Sequence, residues 1–349
     1  MCGIFALLNN NGVVSDEFIK KQFLKSKSRG PDNTILNITN DIYIGFHRLS
    51  INGLDKSSNQ PFQIHNIELI CNGEIYNYKE LFNTIKYNAT TNSDCEVIIY
   101  LYMLYGIEYT LNLLDGVFAF ILIDYNIDKI FVSRDHYGVR PLYCLYNSSS
   151  MLNYNYDDCA KSNLIVFSSE VKQLSEFCEK FNNKNIENTD GSKDSGEDND
   201  NNLNIKPVLP GEYFVLHKSE SNKWFMIDQA SYHTFSLTHF NDDYSEELIL
   251  ETIHDKFCAA VKKRVTTTNR PIACLLSGGL DSSIVTALVN KYYQHELETY
   301  SIGLKGSDDL LYAKNVANFL GTKHTEIIVS EDDFFDTIPY VIHAIESYD

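Results

Sequence analysis

The second residue of this 349-residue chain is a cysteine, directly behind Met1. Its side chain is small enough for an aminopeptidase to remove the methionine, which leaves a thiol and a free α-amine on one residue. An α-amine titrates near ~7.7 to 8.0, so at neutral pH enough is unprotonated to take the thiol proton while sulfur attacks an amide carbonyl. That attack forms an acyl-enzyme and releases ammonia. Cys2 alone means little; its company gives it weight. Arg29-Gly30-Pro31-Asp32, His47-Arg48-Leu49-Ser50-Ile51, Asn72-Gly73-Glu74-Ile75-Tyr76-Asn77 and Ser93-Asp94-Cys95-Glu96 supply complementary charges for a zwitterionic amino acid. Arg48 can fork a carboxylate, and Glu74 and Asp94 can hold an ammonium. The Asn72 amide and the Gly73 N–H suit an oxyanion hole, where glycine allows close backbone approach. The same letters also have plain structural readings: Asn72-Gly73 as a hairpin turn and Asp94 as a helix cap.

A second constellation is Ser277-Gly278-Gly279-Leu280-Asp281-Ser282-Ser283, set between an apolar strand and a helix. Two glycines let the backbone approach a phosphate, the hydroxyls of Ser277, Ser282 and Ser283 can donate to it, and the helix start presents free N–H groups. The loop lacks the Gly-Lys-Ser/Thr ending of a Walker loop, and with it the lysine for the β and γ phosphates. Release of pyrophosphate, as in adenylylation, fits this better than γ-phosphoryl transfer. Asp281 would help hold Mg²⁺ against the phosphates.

Two kinds of architecture must position these groups. From Cys2 to about Glu170, short strand-like runs (Gly3 to Leu8, Ile42 to Phe46, Ile67 to Cys71, Val117 to Asp124, Lys129 to Ser133, Leu164 to Ser168) alternate with turn residues. A helical period over Glu96 to Tyr105 has Asp94 as its cap and Gly106 as its end. This first unit is α+β and ends near residue 230. Residues 178–204, rich in Asn, Asp, Glu, Lys, Ser and Gly, read as a disordered acidic insertion, because strand patterning resumes at Pro210 to Leu216. After residue 240 strands and helices alternate: helix Tyr244 to Val265, strand Pro271 to Leu276, helix Ser282 to Tyr293, strand Thr299 to Leu304, helix Asp309 to Leu320 closed by Gly321, and strand His324 to Val329. That alternation predicts an α/β unit with a parallel sheet.

Composition excludes several functions. A net charge of −18, with Lys262, Lys263 and Arg264 too few to form a basic patch, argues against nucleic acid or an anionic membrane as partner. Eight cysteines without a CxxC pair or zinc spacing read as reduced, mostly buried thiols. No run approaches the ~20 apolar residues that span a bilayer, so the expected compartment is the cytoplasm.

Ser277 to Ser283 resembles the pyrophosphate loop of the ATP-pyrophosphatase superfamily. Tyr300-Ser301-Ile302-Gly303-Leu304, Asp308-Asp309-Leu310 and Gly321-Thr322-Lys323-His324-Thr325-Glu326 resemble its asparagine synthetase branch, with Thr325 where that branch usually has a second histidine. The first-unit strings, together with Leu114 to Phe120 and Arg134 to Leu142, resemble the class II glutamine amidotransferase domain. By that resemblance the first unit, residues 2–230, is an N-terminal nucleophile (Ntn) hydrolase-type α+β sandwich. Residues 240–349 are then the N-terminal, incomplete part of an α/β ATP-pyrophosphatase domain.

The resemblance further implies Cys2 as nucleophile and Arg48, Leu49, Ser50, Ile51, Asn52, Asn72, Gly73, Glu74 and Asp94 around glutamine. It also implies Leu276, Ser277, Gly278, Gly279, Asp281, Ser282, Ser283, Ile302 and Gly303 around ATP. The family turns aspartate, Mg-ATP and glutamine into asparagine through β-aspartyl-AMP, passing ammonia through an internal tunnel. It often dimerises through the first domain, on which no pattern in the chain bears. The family's later Ser-Gly-Glu-Gly-Ser-Asp-Glu loop does not occur before Asp349. These residues are therefore expected to keep glutamine hydrolysis and to make little asparagine. Three alternatives stand beside this: a β-lactam synthetase-like relative, against which Cys2 and Arg48 argue; another glutamine amidotransferase, against which Ser277 to Ser283 argue; and an inactive binding paralogue.

Overall fold

The structure, a computed structural model, describes residues 1–39, 41–147, 164–187, 203–235 and 245–347. The chain divides into two compact units, Met1–Phe235 and Ser236–Asp349.

Apolar runs too continuous for half-buried strands organise the first unit. Its elements begin with β1 (Gly3–Leu8), α1 (Asp16–Leu24), β2 (Asn33–Thr39), β3 (Ile42–Arg48), β4 (Phe62–Ile64), β5 (Ile67–Ile75), α2 (Tyr78–Ile85) and α3 (Val97–Leu113). They continue with β6 (Gly116–Asp124), β7 (Lys129–Arg134), β8 (Tyr143–Asn147), β9 (Ile165–Ser168), α4 (Ser175–Glu187), β10 (Leu203–Pro207), β11 (Glu212–Lys218) and β12 (Trp224–Ser231). Two antiparallel six-stranded sheets result, in the orders β10-β8-β9-β1-β3-β2 and β12-β11-β7-β6-β5-β4. Every residue of β1 and β3 is buried, because both faces of each sheet are covered. Ile4, Ala6, Ile44 and Phe46 of the first sheet meet Ile70, Ile121, Val132 and Phe214 of the second in the central layer. Phe5, Leu7 and Val166 face outward onto Ile19 and Phe23 of α1 and Phe177 of α4. On the far side Leu69, Phe118 and Phe120 pack under Val97, Ile98 and Leu101 of α3 and Phe82 of α2. The order helix, sheet, sheet, helix is the expected Ntn-type sandwich.

Two local expectations are corrected. Residues 178–204 are not a disordered insertion throughout: α4 runs to Glu187, with Cys178 and Phe181 packed under the first sheet, and β10 starts at Leu203. The Asn182 side chain brackets Leu203, donating to its carbonyl (3.2 Å) and accepting from its N–H (2.9 Å); residues 188–202 lie outside the described residues. The expected helix end at Gly106 holds: its backbone (φ 75°, ψ 177°) is non-helical, and α3 is two helices meeting at this kink, the second running through Leu113. Asp94 is not a cap; Ser93 caps the short turn there, accepting from the Cys95 N–H.

In the second unit a parallel sheet of β13 (Ala273–Leu275), β14 (Glu298–Leu304) and β15 (Lys323–Val329) forms in that order. Its helices are α5 (Glu246–Thr267), α6 (Leu280–Tyr292), α7 (Asp308–Leu320) and α8 (Glu331–Ile345). Val261 and Val265 of α5 pack with Val289 of α6 and Leu297, while Ala313 and Ala317 of α7 pack on Leu276. No helix among the described residues is long and apolar enough to cross a membrane.

Candidate active site

Cys2 sits one residue ahead of β1, and its position is set by bonds to its main chain. Arg29 Nε donates to the Cys2 carbonyl (2.8 Å), the Ile4 N–H donates to Ser169 Oγ (3.0 Å), and Gly3 pairs with His47 across β1 and β3. Arg29 is held in turn by Glu170 (3.4 Å). The thiol meets Leu49, donating to its carbonyl (3.5 Å) and accepting from its N–H (3.3 Å). Burial pushes the Cys2 thiol above its ordinary pKa, while the Leu49 N–H, the chain's ammonium and Arg140 pull the other way. A thiol that keeps its proton needs a base, and burial also lowers the neighbouring N-terminal amine below its usual value.

Met1, Cys2, Asn52, Asn72, Gly73, Glu74, Asp94 and Arg140 line one cleft with about 430 Å³ of empty space, part of it open to solvent. Asn72 and Gly73 lie inside β5 rather than in a hairpin turn, opposite Ala119 and Phe118 of β6. A Cβ on Gly73 would come within 2.8 Å of Phe118 Cβ and of the Val117 carbonyl, so only glycine fits there. Asn72 is 1% exposed, and its Nδ2 has no hydrogen-bond partner. Such a donor costs free energy in the empty cleft and is free to serve an oxygen brought by a ligand. Asp94 turns inward, accepts from the Ile75 N–H (2.6 Å), and is hydrogen-bonded by Asn52. Burial raises its carboxyl to about 6. The Asn52 Oδ1 is buried without a partner beside it, a second acceptor for an ammonium.

Two expected contacts come out differently. Arg48 lines the cleft, but its guanidinium is not open to fork a carboxylate: Nη1 bonds the Asp55 carbonyl (2.9 Å) and Asn59 Oδ1 (2.5 Å), and Nη2 bonds the carbonyls of Asn52 (3.3 Å) and Gly53. It holds the loop after β3 in place. Ser50 does not line the cleft; its N–H donates to Asp32 (2.8 Å), which anchors the same loop.

The loop of the second unit has a cradle's geometry. Gly278 is at φ 82°, and a Cβ there would lie 2.5 Å from the Ala313 nitrogen, so glycine is required twice over. Gly279 stands at the start of α6 without a side-chain cap, leaving the first helical N–H groups open. Ser277 Oγ meets Ser282 Oγ at 3.0 Å, and the Ser282 and Ser283 hydroxyls donate to the Gly279 carbonyl (3.2 and 2.7 Å). Asp281 is in the first turn of α6, and Leu276 is buried under α7. Ile302 and Gly303 follow on β14, two and three residues past Tyr300, whose carbonyl takes the Leu276 N–H (2.8 Å).

The family model for the glutamine amidotransferase domain matches residues 1–226, well over half the chain. The chain belongs to that family. Residues 252–348 match the asparagine synthase family model. Relatives of the amidotransferase chain include the glutamine-hydrolysing asparagine synthetases of Mus musculus, 34% identical over 372 residues, and of Homo sapiens, 33% identical over 377 residues. In both, the alignment covers 100% of this chain and 60% of the relative, so the chain spans about three-fifths of their length. A solved structure titled as the allosteric regulatory enzyme of purine biosynthesis aligns over 94% of this chain and 80% of its own, at 13% identity and a TM-score of 0.47, too loose a likeness to argue from.

Within the amidotransferase unit, sequence reasoning misses Ser169 and Glu170, which fix Cys2 from 165 or more residues away, and it gives no role to Gln60. The Gln60 side chain closes on Cys71 from both sides, donating to its carbonyl (3.1 Å) and accepting from its N–H (2.6 Å). Arg140 belonged to a recognised string, Arg134 to Leu142, but nothing local to it announces that it reaches Glu74 (2.7 Å).

Proposed function

We propose that Cys2, once Met1 is removed, hydrolyses glutamine in this cleft, and that the second unit serves the ATP-dependent amidation of aspartate, so that the whole protein makes asparagine. The observation that carries the first half is the buried Asn72 Nδ2, without a hydrogen-bond partner, in the same cleft as Cys2, Gly73, Glu74 and Asp94. In this reading the freed Cys2 amine takes the thiol proton as sulfur attacks the γ-amide carbon. The carbonyl oxygen, becoming an oxyanion, is met by Asn72 Nδ2 and the Gly73 N–H. The amine returns the proton to the leaving nitrogen, ammonia departs, and water releases glutamate from the thioester. Asp94, Glu74 and Asn52 hold the substrate ammonium, and Leu49 and Ile51 shape the wall.

For the second half, the open N–H groups of α6 and the hydroxyls of Ser277, Ser282 and Ser283 would take the phosphates of ATP, with Leu276, Ile302 and Gly303 near its adenosine. Among the described residues no three His, Cys, Asp or Glu side chains cluster for a metal. That fits Mg²⁺, which keeps several waters and needs only Asp281 and phosphate oxygens; it would neutralise charge on the leaving pyrophosphate. The seven described cysteines, all free thiols, support a reducing compartment such as the cytoplasm.

The test is glutamate release from glutamine by purified chain whose N-terminal mass shows Cys2 exposed. Release at Cys2→Ala background levels would refute the glutaminase reading.

A further inference from the structure

Cys2 shares its cleft with two thiols for which glutamine hydrolysis has no use. Cys71 and Cys95 both line it, 1% and 2% exposed, and both belong to the core between the second sheet and α3. The Cys95 thiol donates to the carbonyl of Gly73 (3.7 Å), two residues along β5 from Cys71, and is hydrogen-bonded with the Cys71 thiol itself. That bond and burial hold the Cys95 thiol well above its ordinary pKa. The two main chains are held differently. Gln60 grips Cys71 from both sides, and β5 is paired along its length with β6. Cys95 lies in the short turn Asp94–Glu96 ahead of α3, next to Asp94. Cys2, the third thiol of the cleft, has its sulfur engaged by both main-chain groups of Leu49.

We infer that Cys71 and Cys95 are a modification site, closed to a reversible disulfide by a small hydroperoxide that enters the cleft, and that this crosslink weakens glutamine binding. One sulfur, giving up its proton, attacks a peroxide oxygen; the O–O bond breaks, water leaves and a sulfenic acid remains. The second thiol attacks that sulfur, the S–O bond breaks and a second water leaves. Two thiols and one hydrogen peroxide give one disulfide and two waters, the sulfurs losing the two electrons that the peroxide gains. A disulfide holds its sulfurs ~2.0 Å apart, well inside the contact distance of unbonded thiols. Because β5 is fixed, the turn moves toward it. Asp94 is then drawn from the Ile75 N–H (2.6 Å) and from the substrate ammonium. The effect on activity rests on the glutaminase reading; the crosslink does not.

The processed chain is treated with hydrogen peroxide, quenched with catalase, alkylated and peptide-mapped by mass spectrometry, and glutamate release is measured before treatment, after it, and after dithiothreitol. The expected result is a Cys71–Cys95 crosslinked peptide and a fall in kcat/KM of roughly 10- to 100-fold, the range for one charge-assisted hydrogen bond. The fall should lie mostly in KM, and dithiothreitol should reverse it. Cys71→Ala and Cys95→Ala should start near the unsubstituted activity and lose both the crosslink and the reversible fall; either variant suffices if the other does not fold. No crosslink, a crosslink through Cys2 in its place, or a crosslink that leaves kcat/KM unchanged would overturn the inference. So would an equal reversible fall in the alanine variants, which assigns the loss to Cys2. Failure of the untreated, processed chain to hydrolyse glutamine would overturn the functional reading and the effect on activity, while the peptide map still decides the crosslink.

Discussion

Asn72→Ala separates what the cleft does for catalysis from what it costs the fold. The side chain is 1% exposed and its Nδ2 has no partner. A buried donor left unsatisfied costs about 1–3 kcal/mol. Truncation to alanine removes that penalty and opens a gap at the wall of the cleft, which offsets on the order of 1 kcal/mol of the gain. The net expectation is a stability change between zero and about +2 kcal/mol, read as a rise of up to about 6 °C in Tm for a unit of this size. Activity should move the opposite way. Losing one oxyanion donor costs about 2.7–4 kcal/mol at the transition state, or roughly 10²- to 10³-fold in kcat. KM should change little, because the donor strengthens its bond only as the oxygen becomes charged. Thermal unfolding and glutamate release measured on the same preparation check both signs. A fall in kcat of less than tenfold, or a Tm several degrees lower, would show that the amide supports the strand and not the reaction.

Three further outcomes follow from the same geometry. Burial raises the Asp94 carboxyl to about 6, so its anionic, ammonium-holding form is lost as pH falls through that value; kcat/KM for glutamine should drop about tenfold per pH unit below it, and Asp94→Asn should be poor throughout with that acid limb flattened. Chain that retains Met1 should release no glutamate above the Cys2→Ala background, and removal of Met1, followed by N-terminal mass, should restore activity in proportion to the fraction processed. Gly278→Ala combines a φ of 82° with a contact 2.5 Å from the Ala313 nitrogen; it should weaken ATP binding by the second unit, measured calorimetrically, while leaving glutamate release unchanged.

The parts of the fold most legible in the sequence are the strands buried on both faces. β1 and β6 are nearly unbroken apolar runs, and β7 carries the shorter run Ile130 to Val132, because helices cover what each sheet does not. β2 and α1 escape because their burial is one-sided and their apolar positions sparse: only Ile19, Gln22 and Phe23 of α1 are buried. Gly106 is legible as a helix end, whereas the second helical stretch beyond it, held in the core by Ile107 and Leu111, is not. Asp94 and Arg48 show the limit of reading charge from letters. Both stand in the cleft as expected, yet which acceptor or donor each meets is decided by how the chain folds back: the Ile75 N–H, 19 residues away, for Asp94, and the carbonyls of Asn52, Gly53 and Asp55, four to seven residues on, for Arg48. Arg140 and Glu74 are 66 residues apart, and no local pattern could pair them.

The Arg29 contact to the Cys2 carbonyl bears on the timing of maturation. Every bond that locates Cys2 engages its own carbonyl, its sulfur or residues that follow it. Met1 is half exposed, at 49%. Cutting the bond between Met1 and Cys2 therefore leaves this scaffold whole. Removal of Met1 after folding would therefore change the chemistry at Cys2 without moving it.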